Sequence, residues 1–190
     1  MFKHFRPALT LLVLFTLLLG IAYPIALTGI AQSLFKEQAE GSPIVRDGKV
    51  VGSHLIGQQF TKPEYFWGRP SAAGKGYDGR ASAGSNLGPS SQALADRIRA
   101  EARRLGQPAG EIPADLLTAS GSGLDPHISP AAARFQIARV AAARGLPEAE
   151  ITKLVDDYVE TPSLGFIGEP RVNVLELNLA LDDLARNLPR

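Results

Sequence analysis

The chain has 190 residues, and its 20 Lys and Arg against 19 Asp and Glu leave a formal net charge of +1. That length has room for one domain and a small extra element, and the charge balance excludes nucleic acid as a partner, which needs clustered excess Lys and Arg. There is no cysteine, so disulfides, thiolate nucleophiles and cysteine zinc sites are excluded too.

Residues 1–6 are a short flank carrying Lys3 and Arg6. Pro7 to Phe35 follow without a charge, and "ALTLLVLFTLLLGIAYPIALTGIA" is mostly Leu, Ile, Ala and Val. From Leu9 to Ile30 a helix would reach roughly 33 Å at about 1.5 Å per residue, enough for a hydrocarbon core of about 30 Å. The stretch therefore predicts a transmembrane helix over 7–35, with membrane lipid around it. The competing reading is a cleaved signal peptide, with "GIA" before Gln32 as a small-x-small site. Signal cores run about 7–15 residues, however, and this one is longer and contains Pro24. Ala22, Ala26 and Gly29 fall at i, i+4 and i+7, a stripe of small residues that predicts a helix-packing interface. One span with no ionisable residue offers no ion pathway of its own. Lys3, Arg6 and the terminal amine bias the N-terminus toward the cytoplasm.

Residues 36–190 are near neutral and predict one soluble, extracytoplasmic domain. "PIVRDGKVVGSHLIG" reads as a β-hairpin, because Asp47-Gly48 is favoured in a type I′ turn. "FTKPEYFWGRPS" holds Phe60, Tyr65, Phe66 and the single Trp67, a cluster that suits packing better than base stacking. Residues 71–91 lack any apolar period and form a long loop. Amphipathic helices come next. "QALADRIRAEARRLG" sets Leu94, Ile98 and Leu105 on one side and ends at Gly106. A helix over 130–144 opens with Ser129 as N-cap and Pro130 at its first position and closes at Gly145. Another begins at Pro147 and turns Ile151, Leu154, Val155 and Tyr158 inward. "RVNVLELNLALDDLARN" starts as a short strand and becomes helical, with Asn173 and Glu176 at capping-box spacing. Strands first and helices after make an α+β fold: a single N-terminal transmembrane helix, then one soluble domain with a β-hairpin and several amphipathic helices.

Few motifs carry chemistry. Gly74-Lys75-Gly76-Tyr77-Asp78-Gly79 matches G-x-G-x-x-G, but it neither follows a buried strand nor opens a helix. Ser33 to Lys36 matches S-x-x-K at the end of the apolar helix, without the partner motifs it requires. His4, His54 and His127 have no neighbours at ligand spacing, so no metal is expected. No base–nucleophile pair can be assembled, so no catalytic residue is assigned. The most loaded stretch is "TASGSGLDPHISP", residues 118–130. Ser120, Gly121, Ser122 and Gly123 could offer backbone N–H groups to an anion ahead of a helix N-terminus. Yet the loop holds no lysine, and Asp125 would repel a triphosphate. The alternative is a hydrogen-bonded helix entry, with Asp125 and Ser129 bonding backbone amides and Pro126 and Pro130 fixing φ.

Four segments together resemble one family: "FWGRPSAAGKGYDGRASAGSNLGPSS", "LLTASGSGLDPHISPAAARFQIARVAAARG", "LGFIGEPRVNVLELNLALD" and the N-terminal span. They are similar to the C subunit (KdpC) of the bacterial Kdp potassium-transporting P-type ATPase. The resemblance implies a non-catalytic subunit in a bacterial inner membrane, partnered by a channel-like potassium-selective subunit and an ATP-hydrolysing subunit. It further implies a catalytic chaperone that raises the ATP affinity of the pump subunit, with ATP as the ligand and Ser120, Gly121, Ser122, Gly123 and Gln136 as nucleotide-binding candidates. The rival expectation is a tethered or secreted enzyme or binding domain using the 118–130 loop.

Overall fold

A computed structural model of the chain describes residues 2–187. It has two compact units, one ending at Val51 and the other beginning at Gly52.

In the first unit the uncharged run is helical from Phe5 to Leu34, with a mean hydropathy of 2.3 and no buried residue in its most apolar stretch. It is long and apolar enough to cross a membrane. The helix comprises α1 (Phe5–Leu17), one wide π-helical turn (Leu18–Ala22) and α2 (Tyr23–Leu34). Proline explains the wide turn. Pro24 has no N–H to give, and its ring crowds the carbonyl four residues back. Letting Tyr23 N–H reach Leu18 O, five residues back, makes room without breaking the helix. A short helix α3 (Lys36–Ala39) leads to a hairpin of β1 (Pro43–Arg46) and β2 (Lys49–Ser53). Asp47 and Gly48, at φ of 51° and 74°, make the expected I′ turn.

The second unit is a helical layer around one core. Its elements are α4 (Gln92–Leu105), α5 (Pro130–Phe135), α6 (Ile137–Arg144), α7 (Glu148–Asp157) and α8 (Val174–Asn187). A two-residue antiparallel ladder joins β3 (His127–Ile128) to β4 (Val172–Asn173), pairing His127 with Asn173 and Ile128 with Val172. Phe66, Leu116, Ile151, Val155, Leu177 and Leu181 lie fully inside, and Ile98 and Leu105 of α4 pack against them. Burying one such side chain is worth about 1.5–3 kcal/mol, which is why α7 and α8 hold one apolar face inward. The architecture is α+β, with a single N-terminal apolar helix.

Helix ends follow local chemistry. Gly106 and Gly145 close α4 and α6 at φ of 73° and 66°. Ser129 Oγ accepts from Ala132 N–H at 3.0 Å and caps α5. Two details differ from expectation. The helix expected over 130–144 is broken at Gln136, because the Gln136 side chain donates to Ala132 O at 3.2 Å. That carbonyl is the one its own backbone N–H would use, and the N–H bonds Ala133 O instead. The capping box is half made. Asn173 Oδ1 accepts from Leu175 and Glu176 N–H at 3.1 and 3.3 Å, but the Glu176 carboxylate pairs with His54.

Candidate functional site

The unit is organised around an irregular segment, Pro63 to Trp67, which starts in a turn closed by Tyr65 N–H on Lys62 O and pairs with no strand among the described residues. Backbone groups buried away from water must still be paired, and here side chains take the place of strands. Asn178 of α8 brackets Phe66, accepting from its N–H at 2.8 Å and donating to its carbonyl at 3.0 Å. Gln136 does the same for Trp67, at 2.8 and 3.0 Å. Arg139 donates to Pro63 O at 2.5 Å and Tyr65 O at 3.0 Å, and Arg144 to Glu64 O at 2.8 Å. Five consecutive carbonyls thus end on side chains from one helical layer. Gln136 and Asn178 are each 1% exposed.

Charge is concentrated beside this segment. The guanidinium carbons of Arg104 and Arg139 stand 4.2 and 3.8 Å from the centre of the Trp67 ring, close enough for cation–π attraction. Burial, helped by the charge of Arg104, pulls the Arg139 pKa down to about 10. Arg144 pairs with Asp182 at 2.7 Å.

The 118–130 loop is a platform for the 71–84 loop. Ser122 O accepts from Ala83 N–H and Ser82 Oγ, both at 3.0 Å, and Gly123 O accepts from Ser71 Oγ at 2.6 Å. Ser120 is buried, its Oγ accepting from Gly123 N–H at 2.9 Å. Gly123 sits at φ 67°, and a Cβ there would lie 2.6 Å from both Ala73 N and Ala83 O. Only glycine admits that approach. Asp125 accepts from His127 N–H at 3.0 Å and from Arg69 Nη1 at 3.2 Å. Burial pushes its carboxyl up, but the hydrogen bonds from the His127 ring and N–H, with the Arg69 charge, outweigh this and hold it below the usual range. Pro126 O accepts from Val174 N–H at 2.9 Å, tying the loop to the start of α8, while Pro130 occupies the first turn of α5.

Of the nucleotide candidates, Ser120, Gly121 and Ser122 line one hollow with Asp125 and Pro126. Gln136 lines another, with Phe135 and Arg139. Both oxygen and nitrogen of the Gln136 amide are engaged within the domain. His54 pairs with Glu176, and His127 faces Asp125 at 3.4 Å and Glu160 at 3.9 Å. Among the described residues no group of three or more His, Asp or Glu is placed to hold a metal ion.

Sequence reasoning missed two features. One is Asn178, which reads as an ordinary helix-face residue. The other is a hairpin between Glu160 and Arg171, closed by bridges from Glu160 to Arg171 and from Ser163 to Ile167. Its turn holds Leu164 at φ 55° and Gly165 at φ 82°, and leaves Leu164, Phe166 and Ile167 82%, 76% and 54% exposed. A leucine in the left-handed region is strained, and three large apolar side chains at one tip form a patch that a free domain gains nothing by displaying. Gly165 after a polar-flanked run was the available sign of the turn.

On the N-terminal apolar helix, Ala26 and Gly29 line a shallow groove with Ile25, Ile30, Ser33 and Leu34. Ala22 stands at the end of the wide turn.

A family model described as "K+-transporting ATPase, c chain" (KdpC) matches residues 5–183. Three curated relatives share the name "Potassium-transporting ATPase KdpC subunit". That of Caulobacter vibrioides is 61% identical over 186 residues, covering 96% of this chain and 94% of the relative. That of Polaromonas naphthalenivorans is 60% identical over 184 residues, 94% of each. That of Gemmatimonas aurantiaca is 58% identical over 193 residues, covering 100% of this chain and 97% of the relative.

Proposed function

Because the chain belongs to the KdpC family, the c chain of the K+-transporting ATPase, we propose that it is a non-catalytic subunit of an ATP-driven potassium uptake pump. It holds a channel-like potassium-selective subunit and an ATP-hydrolysing subunit together. It crosses the bacterial inner membrane once, N-terminus in the cytoplasm, with the domain after the span on the outer side. The observation that carries this reading is the 160–171 hairpin, whose Leu164, Phe166 and Ile167 stay in water in the isolated chain. A partner that covers them gains about 25 cal/mol for each Å² of apolar surface removed from water. The stripe of Ala22, Ala26 and Gly29 is a second contact, between helices in lipid, where close backbone approach replaces the hydrophobic drive.

The domain also raises the ATP affinity of the hydrolysing subunit, acting as a catalytic chaperone through assembly. Ser120 to Gly123 and Gln136 support it by shaping the domain, since the Gln136 amide is committed to Trp67. Co-purification in detergent tests the whole reading. Leu164→Ser with Phe166→Ser, and separately Ala22→Leu with Gly29→Leu, should each deplete the two larger subunits while leaving this chain in the membrane fraction. Undiminished recovery of the complex with the hairpin variants would overturn the assignment of that surface.

A further inference from the structure

The G-x-G-x-x-G stretch, which lacks the strand and helix of a dinucleotide site, has a different role in the fold. Its backbone amides are used internally: Gly76 and Asp78 N–H donate to Ala73 O, and Tyr77 N–H donates to Ser71 Oγ. What the loop does deliver is a side chain. Lys75 stands at a cavity of about 270 Å³ that Arg69, Arg97 and Arg104 also line. Glu101 is the single carboxylate in that lining, and it is already paired with Arg104 at 2.7 Å. Arg69 leans on Asp125 outside the lining. With both acids counted, two positive charges remain uncompensated, those of Lys75 and Arg97.

Two of the guanidinium nitrogens are in an unusual state. Arg97 Nη1 and Arg69 Nε are buried and have no hydrogen-bond partner among the described residues. A buried charged donor without a partner is costly, and such groups in native proteins call for an explanation. Tyr77, also in the lining, cannot neutralise them. Burial pushes its hydroxyl up to about 12, and the hydroxyl donates to Arg69 O at 2.7 Å. The exposed Gln59 and Thr61 add neutral polar groups at the rim.

We propose that this cavity binds an oxyanion of the phosphate class, held by Lys75 and Arg97 with Arg69 and Arg104 behind them. Guanidinium forks match a tetrahedral oxyanion with paired charge-assisted bonds, and lysine adds a mobile point charge. The anion is either free phosphate or the phosphodiester of an anionic lipid headgroup, one with no ammonium to balance it, which share this chemistry. Lys75, Arg97 and Arg104 do not line the hollows of the 118–123 loop or of Gln136, whereas Arg69 stands between this cavity and the loop, bonding Ala119 O and Asp125.

The test uses the full chain in non-ionic detergent, melted against increasing inorganic phosphate, with a chloride series at matched ionic strength beside it. A parallel series uses mixed micelles with phosphatidylglycerol in place of phosphatidylcholine. Wild type should be protected by phosphate more than by chloride, or by phosphatidylglycerol more than by phosphatidylcholine. Lys75→Gln and Arg97→Gln should weaken that apparent affinity about tenfold or more, the effect of losing one charge-assisted bond. Arg99→Gln, an exposed neighbour on α4 already paired with Asp96, should leave it unchanged. Protection by phosphate identifies a free anion, and protection by phosphatidylglycerol alone identifies a headgroup. Lys75 is exposed, so its variant carries the test even if Arg97→Gln does not fold. Absence of protection by either probe, or equal protection of wild type and Lys75→Gln, would overturn the proposal.

Discussion

Replacing Gln136 by leucine keeps roughly the volume of the side chain and removes only its polar atoms, so the loss is confined to hydrogen bonds. Two buried backbone groups lose their partners, Trp67 N–H and Trp67 C=O. Arg139 Nη2 loses its 2.6 Å bond to the amide oxygen, although Arg139 keeps its bonds to Pro63 O and Tyr65 O. Ala132 O is recovered, because the Gln136 N–H can return to it as in an unbroken helix. An unsatisfied buried donor or acceptor costs about 1–3 kcal/mol, so the change should destabilise the domain by about 2–6 kcal/mol. For a unit of this size, about 3 °C of melting temperature goes with each kcal/mol. The expected fall is therefore about 6–18 °C by circular dichroism of the purified chain. Asn178→Leu removes the matching bracket on Phe66 and should fall in the same range. Complexes that still assemble with Gln136→Leu should need no more ATP for half-maximal pumping than wild type. A melt within a degree or two of wild type, with a raised ATP requirement, would refute the structural role and return Gln136 to the nucleotide.

Asp125 has a depressed folded-state pKa, so its contribution is present above the unfolded carboxylate value of about 3.9 and fades as pH falls through the lower folded value. The melting-temperature gap between wild type and Asp125→Asn should accordingly be open at pH 5 and close below about pH 4; a gap of constant width down to about pH 2 would contradict it. Gly123→Ala forces a left-handed φ and a Cβ into Ala73 and Ala83, and should cost at least about 1–3 kcal/mol in urea unfolding and expose the 71–84 loop to protease. Leu164→Asn relieves a left-handed leucine, so it should stabilise the free chain by about 0.5–1 kcal/mol while weakening co-purification. A lower melting temperature for that variant would mean that the turn does not need a left-handed residue.

What the sequence made legible was local. Asp47-Gly48, Ser129-Pro130, Gly106 and Gly145 each act on residues within one turn of themselves, so their chemistry can be read where it stands. The inward face of α7, with Ile151 and Val155, was likewise legible from its spacing. The brackets on the Pro63–Trp67 segment were not, because Gln136 meets a backbone 69 residues away and Asn178 one 112 residues away. Glu176 shows the limit from the other side. Its spacing to Asn173 suits a capping box, but His54, distant in sequence, takes its carboxylate. The 160–171 hairpin escaped notice since leucine is no turn former, and only the fold makes it sit where glycine or asparagine would. The family resemblance carried the functional expectation further than any single motif in the chain.

The wide turn at Leu18–Ala22 inserts one residue into the helix and so resets its phase. Below it, Ala22, Ala26 and Gly29 share a face at ordinary helical spacing. Above it, that face does not continue through Phe15, as an unbroken helix would require, but through Leu14 and on to Thr10 and Leu11. The small-residue stripe therefore ends where the turn begins, and leucines rise on the same side beyond it. A helix seated against Gly29 is held off by the height of those side chains nearer the N-terminus. Helices packed through this face would meet at one end and splay at the other, as a crossing and not a lengthwise seam.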